Sequence, residues 1–183
     1  MKVRLYQGLT KYDKDGRAVE HQWGECDSFV RNFLQMLQGF LTSGLLTSGQ
    51  IRNTAGTAVN SSADAYGQMN SISGLMSILI GDGAVAVDID DYALGHAIPG
   101  VSSMLTSITQ AESGQTMAIT FTKTYLNEPS STWTVRETGM IARIYYGGPT
   151  PLHELLLVRD VLGSPITVTQ NQSIQVQYYW QIV

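Results

Sequence analysis

The feature that most constrains this 183-residue chain is the alternation near its C-terminal end. Ile174, Val176, Tyr178, Trp180 and Ile182 are apolar, and the intervening Ser173, Gln175, Gln177 and Gln181 are polar; Tyr179 is the one exception. Successive side chains of a strand point to opposite faces, so a period of two puts one face on a core and the other on water or a neighbour. The same period runs back through the second half of the chain. Met117, Ile119 and Phe121 oppose Thr116, Thr120 and Thr122, while Trp133 and Val135 oppose Thr132, Thr134 and Arg136. Ile141 to Tyr146, Leu155-Leu156-Leu157-Val158 and Ile166 to Val168 are further strands, divided by turn signals at Asn127-Glu128-Pro129-Ser130, Gly147-Gly148-Pro149 and Asn171. Short strands with regularly spaced turns predict a mainly β fold, an antiparallel β-sandwich of jelly-roll or Ig-like type.

The first half is less uniform. Residues 3 to 23 read as a hairpin around Asp13-Lys14-Asp15-Gly16. Residues 27 to 43 predict one N-terminal amphipathic α-helix, capped by Asp27 or Ser28, with Phe29, Phe33, Leu37 and Leu41 along one face. That apolar stripe is a candidate packing or interface surface. Ile51 to Val59 predicts one short strand, and Asn60 to Gly74 an extended arm. Leu75 to Ile80 is an apolar run before Gly81-Asp82-Gly83; Val85, Val87 and Ile89 then alternate, and Tyr92 to Ile98 reads as a helical turn. Residues 1–74 thus form a hairpin, helix and arm, and 75–183 a β core, within one continuous domain.

Charge narrows the function. Charged residues make up 14% of the chain, against roughly 25% in ordinary soluble domains. A weakly charged surface suits a protein that covers much of itself with neighbours, because burying charge is costly. The net charge of -4 and the scattered 11 basic residues argue against nucleic acid as a partner, since phosphate binding needs clustered Lys and Arg. The single Cys26 forbids an intramolecular disulfide and fits folding in a reducing cytoplasm. Met1 to Tyr6 lacks the apolar stretch of a signal peptide, and no run reaches the length of a membrane span. These features predict no membrane partner.

Few residues suggest chemistry. Cys26 with His21, His96 or His153 has the types for a thiol nucleophile and its base, but no spacing shows proximity, and a small buried residue is the simpler reading. Asp88, Asp90 and Asp91 form an acidic loop, a weak candidate for a cation, though the spacing matches no EF-hand. The histidines lack zinc spacing, and no nucleotide-binding glycine motif occurs. Trp133, Trp180 and Tyr145-Tyr146 have the types for a sugar-stacking platform, but Trp133 and Trp180 fall in apolar registers that point to burial. No cofactor and no catalytic residue are expected.

Several segments together resemble a pattern in tailed-bacteriophage virion proteins. Ile78-Leu79-Ile80-Gly81-Asp82-Gly83 followed by Asp90-Asp91-Tyr92-Ala93-Leu94 and Ile98 resembles that group's apolar strand, G-x-G turn and D-Y-x-L segment. Ile119-Thr120-Phe121-Thr122 and Thr134-Val135-Arg136-Glu137-Thr138-Gly139-Met140 resemble its I-x-x-x-F-x-N and T-V-x-E-x-G-[LF] segments, with Lys123 and Met140 as departures. Leu156-Leu157-Val158-Arg159-Asp160-Val161, Pro165-Ile166-Thr167-Val168 and Ser173-Ile174-Gln175-Val176 resemble its closing strands. The resemblance covers residues 75 to 183. It implies a non-enzymatic structural protein made in the host cytoplasm and carried in the virion. Its partners would be copies of itself and other virion proteins such as major capsid or tail subunits. A capsid decoration or minor head protein and a tail, neck or fibre-base subunit both fit; a carbohydrate-binding module is a lesser alternative resting on the aromatics.

One physical expectation follows from the same segments. Glu137 shares the register of Trp133 and Val135, and Arg159 interrupts an apolar strand. A buried carboxylate needs a partner, so Glu137 and Arg159 are expected to pair or to satisfy backbone groups across the sheet.

Overall fold

A computed structural model describes residues 3–26, 29–34, 51–59, 76–101, 105–114, 116–128, 131–145 and 152–182. The fold is mainly β. The chain opens with a hairpin of β1 (Val3–Tyr12) and β2 (Ala18–Glu25). Asp13 shapes its turn, because one side-chain oxygen accepts from the backbone N–H groups of Asp15 and Arg17, and Gly16 takes the positive φ of 78°. Next come β3 (Ile51–Arg52) and β4 (Ala58–Val59), then β5 (Met76–Gly81), β6 (Ser107–Ser113), β7 (Thr116–Leu126), β8 (Trp133–Tyr145), β9 (Leu152–Val168) and β10 (Ser173–Ile182).

These strands build a five-stranded antiparallel sheet in the order β2-β1-β10-β7-β6 and a three-stranded one in the order β5-β8-β9; β3 and β4 pair separately. The N-terminal hairpin is therefore continuous with the C-terminal strand, with Leu5 opposite Trp180 and Leu9 opposite Val176. The last strand follows its alternation: Ile174, Val176 and Tyr178 are fully buried. They share one core with Leu5, Leu9 and Tyr125 of the same sheet and with Ile78, Val135, Met140, Leu155 and Val168 of the other. Polar groups also cross between the sheets. Gln7 donates to Thr138, Thr138 Oγ1 lies 2.5 Å from the Tyr178 hydroxyl, and the Tyr125 hydroxyl donates to the Ile78 carbonyl. Gln7, Thr138, Tyr178 and Tyr125 thereby find partners for their buried polar atoms.

Two irregularities between β8 and β9 decide what lies on each face. The pairing runs Val135 with Ile166, then Glu137 with Val161, and it shifts again between Met140 and Ile141. One bulge reverses the facing of every later side chain. Trp133 and Val135 therefore join the main core, but so do Met140 and Ala142, while Ile141 and Leu156 turn to the far side and pack with Val30, Leu79 and Leu94. The three-stranded sheet is covered on both faces. That explains the unbroken apolar run at Leu155–Val158, all of it buried.

Several local expectations are corrected. The N-terminus is strand, and of the expected helix 27–43 only residues 31–34 are helical among those described. Phe29 instead bridges Val158, and the Val30 N–H donates to the Leu157 carbonyl freed by the bulge, so the backbone there extends the sheet rather than starting a helix. Leu37 and Leu41, the proposed caps Asp27 and Ser28, and the arm 60–74 lie outside the described residues. Ile51 to Val59 is a small hairpin turned at Asn53–Gly56 rather than one strand. Residues 82–98 form neither the strand at Val85–Ile89 nor the helical turn at Tyr92–Ile98; they make a loop folded onto the three-stranded sheet, closed by a bridge between Gly81 and Ala97.

Candidate functional site

The face of the three-stranded sheet turned away from the main core carries an unusual group for a β core. Glu137 is 0% exposed and Arg159 2%. Arg159 sits opposite Gly139 and Glu137 opposite Val161, so the two long side chains meet diagonally on the face turned away from the main core. Arg159 Nε donates to Glu137 Oε2 at 2.8 Å, confirming the expected pairing. The expected register was wrong, however: the bulge at Arg136 moves Glu137 to the face opposite Val135.

The loop 82–98 is tied to this pair. Glu137 Oε1 accepts from the backbone N–H groups of Gly83 at 3.1 Å and His96 at 2.7 Å, and Oε2 accepts from Gly95 at 3.0 Å. The guanidinium spends its other hydrogens on the loop as well. Nη1 donates to Asp91 Oδ2 at 2.7 Å, and Nη2 to the Val85 carbonyl at 2.9 Å. Only donors face the Glu137 oxygens, the arrangement that suits a carboxylate acceptor. Burial works against the Arg159 charge, but its hydrogen bonds and attraction to Asp91 and Glu137 outweigh it and hold its pKa above the ordinary guanidinium value.

Glycines make the close approach possible. A Cβ on Gly81 would lie 2.5 Å from the His96 carbonyl oxygen and 2.7 Å from Glu137 Oε1. One on Gly83 would strike the Glu137 carboxylate and approach the His96 nitrogen to 2.9 Å. The G-x-G turn therefore clears room for a side chain from another strand. Sequence reasoning read these glycines only as a turn and missed this second role, because Glu137 lies 54 residues beyond Gly83 in the chain.

The weak metal candidates have other duties. Asp91 pairs with Arg159 and also accepts from the Asp88 N–H at 2.8 Å; Asp88 accepts from the Asp90 N–H at 2.9 Å; Asp90 pairs with Arg31. The acidic loop is a set of turns and ion pairs, and among the described residues no group of three or more His, Cys, Asp or Glu side chains is placed to hold a metal ion. His96 pairs with Asp82, and His21 Nδ1 lies 2.9 Å from Thr10 Oγ1, so neither is directed at the buried Cys26.

Trp133 and Trp180 both pack onto the core, as their apolar registers suggested. Trp133 is buried in the core. Trp180 packs edge-on against Phe29 and Phe33 and against Phe121 at 5.2 Å, and its Nε1 has no hydrogen-bond acceptor among the described residues. Tyr146 lies outside the described residues. A further aromatic group, the exposed Trp23 with the half-buried Tyr6 and Tyr179, lies on the outer face of the five-stranded sheet. Tyr179, which broke the alternation, was its sequence signal. A separate open cleft of about 660 Å³ has Lys123, Tyr125 and Trp133 in its wall, with Lys123 Nζ 5.3 Å from the Tyr125 ring centre. Burial holds the Lys123 pKa below its ordinary value.

Among the described residues no helix is long and apolar enough to cross a membrane. No family model, no curated protein and no solved structure was found to match this chain.

Proposed function

We propose that this chain is a non-enzymatic structural subunit of a tailed-bacteriophage virion. It is a capsid decoration or minor head protein that stabilises the particle through contacts with its own copies and with capsid subunits. The observation that supports this is a convergence. The segments that resemble the virion pattern lie far apart in sequence, yet their distinctive residues meet at one point. Gly81 and Gly83 make room, Asp91 and Leu94 close the loop, Glu137 and Gly139 lie beneath it, and Arg159 joins them. Every polar group there is spent on holding backbone in place, which suits a part that bears load rather than one that turns over substrate. We read the two sheets, which share a core, as an antiparallel sandwich.

The test is the protein's position in particles whose genome encodes it, determined by electron cryomicroscopy. Three- or six-fold clusters on the icosahedral shell are expected. A ring around a single axis would assign it instead to the tail, neck or fibre base, which the same residues allow. Absence from purified particles would overturn the reading altogether.

A further inference from the structure

We propose that β6, the open edge of the five-stranded sheet, pairs antiparallel with β6 of a second copy of this chain, so that two sheets become one across a two-fold axis at Gln110. The inference rests on the part of the reading above that gives the chain contacts with its own copies, and it names the surface where they meet. Two observations carry it.

The first is that β6 is open where the other edges are occupied or blunted. Beside β9, Phe29 bridges Val158 and the Val30 N–H donates to the Leu157 carbonyl. Beside β5, Ala97 bridges Gly81 and the Ile98 N–H donates to the Ile80 carbonyl. The remaining edge, β2, carries Glu20 and Glu25, has a register shift where β1 passes from Lys11 to Tyr12, and sends the Gln22 amide to the Ser164 carbonyl. Charges and irregularities of that kind keep an edge from pairing. The β6 strand has one charge, Glu112, and neither proline nor lysine. It runs in unbroken register against β7 from Ser107 to Ser113, and all of its residues but Ile108 are exposed. Every second residue of an edge strand turns its N–H and C=O away from its neighbour. Among the described residues no strand or loop bonds to that side of β6.

The second observation is that the strand complements itself. Turned antiparallel about Gln110, it sets Ser107 opposite Ser113, Ile108 opposite Glu112 and Thr109 opposite Ala111 of the other copy. Only this register pairs the strand along its whole length. The two Glu112 carboxylates then stand four residues apart along the seam, about 14 Å, beyond the roughly 8 Å over which charges act in physiological salt. Thr109 and Ser107 lie beside Thr120 and Thr122 of β7, so an uncharged face continues from one copy to the next. A foreign strand would have to supply this match, whereas a second copy carries it already. Pairing uses up both open edges, so the assembly closes at two copies. A seam of one short strand from each copy is small, which makes the pairing concentration-dependent.

The test is sedimentation velocity of the full chain. Between about 1 μM and 1 mM the monomer should give way to a dimer. Gln110→Lys and Gln110→Glu each set like charges face to face across the axis, and each should raise the dimer Kd by about tenfold or more. An equimolar mixture of the two variants sets opposite charges there and should dimerise again. Thermal unfolding of each variant separates a lost seam from a lost fold. A monomer at every concentration overturns the proposal, as does a dimer that Gln110→Lys leaves unchanged or a mixture that stays monomeric. Presence in purified particles is a separate measurement, so failure of the seam and failure of the virion reading are told apart.

Discussion

Glu137 and Arg159 are paired at 2.8 Å on a face of β8 and β9 that points away from the main core, and a loop of the chain is folded over them. The pair does two things at once. It satisfies its own charge, and through three backbone N–H groups, two carbonyls and Asp91 it holds the loop 82–98 against the sheet. Burying two charges gives little net stability, but leaving one behind is expensive.

Removing either partner should therefore be costly. Arg159→Met leaves the Glu137 carboxylate buried without its cation, and urea unfolding should show a loss of about 3 to 5 kcal/mol. Glu137→Gln should cost a similar amount. The double variant should lose clearly less than the sum. Additivity within about 0.5 kcal/mol would show that the two residues act independently.

The glycine cradle makes a second prediction. Gly83→Ala should destabilise by about 1 to 3 kcal/mol, because the added methyl meets the Glu137 carboxylate and the His96 backbone rather than a flexible chain end. Gly163→Ala and Gly24→Ala have nothing within 4 Å of the new methyl and ordinary φ, so they should stay within about 0.5 kcal/mol of the parent. Equal effects at all three positions would remove the cradle from the account.

Alkali should unfold the protein through two buried tyrosines. Burial raises the Tyr125 and Tyr178 hydroxyls above the ordinary tyrosine value. A folded pKa above the unfolded one means that the stability is complete below about pH 10 and is lost as pH rises through that value toward the raised folded ones. Unfolding free energies from urea titration should fall above pH 10 by up to about 1.4 kcal/mol per pH unit for each tyrosine. Tyr125→Phe should halve that slope, and an unchanged slope would assign the alkaline loss to other groups.

Trp180 tests the seam between the sheet and the segment at Phe29 and Phe33. Trp180→Ala should cost about 3 kcal/mol, since it removes ring contacts to Phe29, Phe33 and Phe121. Trp180→Phe should recover most of that, because the indole N–H has no acceptor among the described residues to lose. A large cost for the Phe variant would show that the N–H is used.

The legible parts of this fold were those governed by local rules. The alternation at Ile174, Val176 and Tyr178 and the Asp13–Gly16 turn depend on residues close in sequence, and both formed as read. Asn171 likewise sits at φ 62°, the left-handed turn conformation that asparagine tolerates. Failures came where one segment serves another. Val85, Val87 and Ile89 alternate like a strand, but the Val85 carbonyl is drawn to Arg159 and the Ile89 carbonyl accepts from the Arg31 N–H, so no ladder forms there. The acidic loop looked open to a cation because its partner Arg159 lies 68 residues further along the chain.

Sequence alone determined that the chain is mainly β, that its last strand buries one face, and that Glu137 and Arg159 need each other. These follow from side-chain period and from the cost of isolated buried charge. Only the tertiary structure decided on which face they meet. The irregularity at Arg136 turns Glu137 to the face opposite Val135, and it arises in the pairing of two strands rather than in the alternation of one.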